Sequence, residues 1–95
     1  MSHVVESVCP LCQSAAKCEE HIMRRLKHFV CPVCKEVVIK NKAERHIVDS
    51  TQQTRETFSN YCTKAPDGKV TLLSFDQKRP GVDAQYLSLQ EALAR

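Results

Sequence analysis

Two Cys-Pro-x-Cys pairs, Cys9-Pro10-Leu11-Cys12 and Cys31-Pro32-Val33-Cys34, stand 22 residues apart in a chain of 95. A Cys-x-x-Cys pair on a tight turn sets two thiolates side by side. The N–H groups of that turn point at the sulfurs and stabilise their charge. Such a pair is half of a tetrahedral metal site. A staple of this kind is also what the chain needs. Short domains bury thin cores, and this one has no Trp and only 5% aromatic residues.

Disulfides would be the rival staple. Residues 1–14 show no basic start followed by an apolar run, so no export signal is read there. Four of the six cysteines fall in Cys-x-x-Cys pairs, the spacing of metal knuckles in a reducing compartment. The expectation is therefore an intracellular metal-binding chain, cytoplasmic or nuclear. No stretch approaches the roughly 20 apolar residues of a membrane span, so no membrane partner is expected. A formal net charge of +3 permits a nucleic-acid partner without demanding one.

Along the chain, residues 1–7 read as an extended lead-in to the first pair. Ser14–Lys27 reads as a helix with Ser14 as N-cap and Cys18, Ile22, Leu26 and Phe29 on one face. Glu20 and Arg24 are spaced as an exposed pair on that helix. Glu36–Lys40 is β-branched and reads as a strand. Asn41 with Glu44 resembles a capping box, opening a helix that runs to about residue 60 through a weak stretch at Asp49-Ser50-Thr51. Pro66-Asp67-Gly68 is a turn signal. Val70–Phe75 reads as a strand with no partner just before it. Arg79-Pro80-Gly81 breaks the chain, and residues 86–95 read as a short amphipathic helix with Leu89 and Leu93 four apart.

An internal repeat ties the pairs to histidines. Lys17-Cys18-Glu19-Glu20-His21-Ile22 aligns with Lys42-Ala43-Glu44-Arg45-His46-Ile47, so each pair is followed by a His-Ile. A His on the helix after a knuckle is the usual third zinc ligand. Over residues 9–62 the chain thus resembles the tandem C2H2/C2HC zinc-finger family. That resemblance implies two zinc ions, helix tips that contact nucleic acid, or a helix face that binds a protein such as ubiquitin. The fourth ligands depart from the family pattern. Three to five residues after His21 come Arg24, Arg25 and Leu26; after His46 come Asp49, Ser50 and Thr51. His28 and Cys62 are the next candidates, with Asp49 as a local substitute. His28 lies about 10 Å from His21 along a continuous helix, and Cys62 about 24 Å from His46, so both require the helix to bend or end.

A second arrangement avoids that difficulty. Cys9, Cys12, Cys31 and Cys34 together match the spacing of a four-thiolate ribbon with one shared ion. A cross-braced pattern is a third possibility. Enzyme signatures are missing. There is no His-x-Glu for a zinc deaminase, no His-Glu-x-x-His and no phosphate-binding glycine loop. A redox Cys-x-x-Cys would sit in a βαβ unit and would not recur 22 residues on. A metal saturated by protein ligands leaves no position for a small-molecule substrate.

The fold expected is a small α+β zinc domain. It has a tandem finger-like region over residues 1–62, and a strand and helix over 63–95 packed against it. The expected function is binding, without catalysis. One reading is nucleic-acid contact through Lys17, Arg24, Arg25, Lys27, Lys42 and Arg45. The other is protein docking through a finger helix or the Leu87, Leu89 and Leu93 stripe.

Overall fold

The computed structural model describes residues 3–75 and 81–94. Its framework is a six-stranded sheet whose spatial order follows the chain. The strands are β1 (His3–Val8), β2 (Ala15–His21), β3 (Leu26–Cys31), β4 (Lys35–Lys40), β5 (Val70–Phe75) and β6 (Val82–Leu87). The first four form an antiparallel meander. Helices α1 (Asn41–Val48) and α2 (Gln52–Thr63) then cross over, so that β5 joins β4 in parallel. β6 returns antiparallel to β5, and α3 (Leu89–Ala94) closes the described chain.

Burial explains why β4 and β5 are central. Val37, Val38 and Ile39 are fully buried in succession, as are Val70, Thr71, Leu72 and Leu73. Consecutive buried residues point to opposite faces, so both faces of these strands are covered. On one face Val37, Ile39 and Leu73 pack with Phe29, Cys18 and the helical residues Ala43, Ile47 and Cys62. On the other, Leu26, Val38, Val70 and Leu72 pack with Ala92, Leu87, Leu89 and Leu93. The leucine stripe of the C-terminal helix is therefore spent on a second, smaller core.

The expected strands at 36–40 and 70–75 are present, and three expected helices need correction. Ser14–Lys27 is not a helix but strand β2, the turn 22–25 and the start of β3. Ala16 and Cys18 are buried while Ala15 and Lys17 are exposed, the alternation of a strand. Ile22, assigned to a helix face, lies on the turn with 74% of its surface exposed. Ser14 caps nothing; its carbonyl accepts from Cys9 N–H at 2.9 Å.

The long helix after residue 41 breaks at its weak stretch. Thr51 becomes the N-cap of α2, its side chain accepting from Thr54 N–H at 3.2 Å. Arg55 donates to the carbonyls of Ser50 at 2.8 Å and Val48 at 3.4 Å, groups that the end of α1 leaves free. The capping box is not formed either. Lys40 occupies the N-cap position of α1, Asn41 N–H donates to Arg25 O at 2.9 Å, and Glu44 holds Lys27 Nζ at 3.0 Å.

Where a helix is expected over residues 86–95, the described residues 86–94 split into the end of β6 and the short α3, whose first turn is capped by Ser88. Pairing of Tyr86 opposite Thr71 wins over helix propensity there. Tyr86 also stacks on Tyr61, with ring centroids 4.3 Å apart, and donates to Tyr61 O at 2.6 Å. The break expected at Arg79-Pro80-Gly81 lies, apart from Gly81, outside the described residues.

Candidate metal centre

Each cysteine pair occupies the bend of a hairpin, the first between β1 and β2 and the second between β3 and β4. In the first, Gln13 N–H donates to Cys9 O at 2.8 Å. In the second, Val33 N–H and Cys34 N–H both donate to Cys31 Sγ at 3.4 Å. The residue after each pair, Gln13 or Lys35, takes a left-handed conformation, with φ of 61° and 63°. The same backbone turn is thus built twice. Because β2 and β3 are themselves paired, the two bends lie at the same end of the sheet.

The sulfurs of Cys9, Cys12, Cys31 and Cys34 all lie within 4.8 Å of one another. Cys9 and Cys34 are 3.8 Å apart, and Cys12 and Cys31 are 3.4 Å apart. A zinc tetrahedron with Zn–S of about 2.3 Å has S···S edges of about 3.8 Å, so the separations suit such an ion. All four are free thiols. Cys9, Cys31 and Cys34 are buried and Cys12 is half-buried, beside a cavity of about 320 Å³ lined also by Gln13, Arg55 and Ser59.

The electrostatics favour a cation. The hydrogen bond with Cys34 holds Cys9 at about 5, helped by the N–H groups of Cys12 and Leu11 and opposed by burial. The same bond pushes Cys34 well above the thiol range, and burial adds to it. Burial also raises Cys31, against the two turn N–H groups. The two thiols thus titrate as a pair, and a divalent ion bound among the four sulfurs would displace their protons. Ser59, on α2, places its Oγ 3.1 Å from Cys34 Sγ, a support that orients the ligand. No sequence signal marked Ser59; it reaches the site because α2 packs across β4.

The structure therefore makes one group from both pairs, the shared arrangement, and not two finger-like sites each completed by a histidine. Strand geometry gives the reason. Cys31 and Phe29 share one face of β3, so His28 points to the other, and His21 is likewise out of step with Cys18 on β2. His21 Nε2 lies 2.6 Å from Glu19 and His28 Nε2 lies 3.3 Å from Glu36. His46 is exposed on α1 and stacks on Phe75 at 4.0 Å. Cys62 is fully buried in the main core. Burial pushes its thiol up to about 12, partly offset by the Thr71 hydroxyl. None of these four joins the sulfur group.

The basic residues separate as well. Lys27 is paired with Glu44, which is the main cause of its raised pKa. Lys17 stands on β2, opposite Glu6 of β1. Arg24 and Arg25 are exposed on the β2–β3 turn. The Arg25 carbonyl bonds the first residue of α1, which brings exposed Lys42 to the same end of the molecule, with Arg45 one turn further along.

No protein-family profile matches the chain, and no curated protein and no solved structure matches it. The fold and the cysteine group thus define the class on their own. This is a small α+β domain with a four-cysteine site suited to a zinc ion, built where two β-hairpins meet.

Proposed function

We propose that the protein is a zinc-stapled binding module without catalytic activity, and that it contacts nucleic-acid phosphates through Arg24, Arg25 and Lys42. The observation that carries this reading is that the turn of one hairpin and the start of α1 are bonded together, bringing these cations to one end of the sheet. Arginine and lysine so placed form the electrostatic footprint of a polyanion site. Four thiolates leave zinc no open position, which favours a structural role for the ion. Free thiols in such number fit a reducing, intracellular compartment.

The test is a salt titration of zinc-loaded protein against a short duplex. Affinity falls steeply with ionic strength if phosphates are the target, and Arg24→Glu with Arg25→Glu abolishes it. A protein partner is the second reading, favoured by exposed Val4, Val5 and Val8 on edge strand β1. Its binding would be nearly indifferent to salt and to those charge reversals.

A further inference from the structure

Between His21 and Leu26 the β2–β3 turn carries Ile22, Met23, Arg24 and Arg25. Ile22 is 74% exposed and Met23 is 96% exposed, while Leu26, at the base of the turn, is fully buried. The turn is held from two sides. The Arg24 guanidinium donates to the Leu93 carbonyl of α3, and Arg25 O accepts from Asn41 N–H of α1 at 2.9 Å. Arg25 itself is left-handed, at φ 55°. Two apolar side chains are thus presented on a braced tip, with a guanidinium on each of the next two residues.

We infer that Ile22 and Met23 form a wedge that enters between adjacent base pairs of duplex DNA while Arg24 and Arg25 hold the flanking phosphates. This rests on the nucleic-acid reading above and names its mode. Apolar wedges on basic supports unstack a base step and kink the duplex. Arginine suits the role because its planar fork pairs phosphate oxygens bidentately. From His21 to Leu26 and from Val38 to Ala43 there is no acid, so the charge of this tip complements the phosphates of a duplex. Two apolar side chains match the single gap between base pairs, whereas they offer little area for anchoring in a flat bilayer. Lys40 reports the same local field: burial lowers it first, and the Arg24 charge lowers it further.

The experiment uses the zinc-loaded full chain and a 20-base-pair duplex with a central TA step, a deformable step. Anisotropy across a salt series reads affinity, and energy transfer between dyes at the duplex ends reads bending. The expected result is a bent duplex with the native protein. Ile22→Ser with Met23→Ser should weaken binding about tenfold, abolish the bend and leave the salt slope unchanged. Arg24→Ser alone should lower that slope by about one. Circular dichroism and zinc content confirm that the exposed-tip variants fold. A duplex bound without bending, equally well by the serine variant, overturns the wedge and leaves the basic surface standing. No duplex binding by the native chain overturns the nucleic-acid reading itself, as does binding confined to phosphatidylserine vesicles.

Discussion

Gln13 and Lys35 each follow the second cysteine of a pair, and each has a positive φ. A side chain in that region meets its own carbonyl, at a cost of about 1–2 kcal/mol, which glycine escapes. Gln13 is exposed, so Gln13→Gly should raise stability. Part of the gain is offset by the freedom glycine adds to the unfolded chain, leaving a net of about 0.5–1 kcal/mol. Urea denaturation of the zinc-loaded protein measures it, and a loss of stability would show that Gln13 makes a compensating contact. Cys62 allows a second test at this scale. Its thiol rises from an ordinary 9.0 to about 12, so the folded state holds the proton more tightly than the unfolded state. That contribution is fully present below pH 9.0 and is lost as pH climbs toward 12. The stability difference between native protein and Cys62→Ala should therefore shrink over that interval, as read by denaturant midpoints at each pH. A constant difference would place Cys62 in a more polar setting.

Among the elements, the division between α1 and α2 is the most instructive. Asp49 and Ser50 leave the helix, and Thr51 restarts it with a side-chain cap at 3.2 Å to Thr54 N–H. Thr51→Ala should cost about 1 kcal/mol, seen as a lower midpoint with zinc content unchanged. A larger loss accompanied by zinc release would mean that α2 also holds the site, through Ser59 against Cys34. The break is needed because α1 packs Ala43 and Ile47 on the sheet while α2 must bring Ser59 and Cys62 to the same core. A continuous helix would carry its second half about 15 Å beyond the first turns of the crossover.

For the whole molecule, the cysteine group joins the bend of the β1–β2 hairpin to the bend of the β3–β4 hairpin. Without an ion, four buried or half-buried thiols would leave the bends of those hairpins uncrosslinked, held by the β2–β3 ladder and by the packing of Leu11, Cys18, Phe29 and Ile39 in the main core. Removal of zinc by a strong chelator should therefore abolish the dispersed proton NMR spectrum, and Cys31→Ser should do the same without chelator. A chain that stays folded after stripping would assign the fold to its hydrophobic core alone. Protons compete with the metal for the same sulfurs, so loading should fall as pH drops, followed by a colorimetric zinc indicator.

The sequence alone determined that Cys9, Cys12, Cys31 and Cys34 would serve one chemistry, because two thiols on a knuckle have few other uses at that spacing. It also determined the strands at 36–40 and 70–75, whose β-branched or apolar runs admit no helix of comparable burial. Tertiary structure decided the rest. Ala15–Leu26 is rich in helix formers, and its apolar residues fit a period of four as well as a period of two. Only the pairing with β1 and β3 selects the strand, and that choice turns His21 and His28 to the face away from the sulfurs. The aligned Lys–Glu–His–Ile segments thus became a strand in one copy and a helix in the other. Local pattern fixes which residues are apolar, while long-range hydrogen bonding fixes which way each one points.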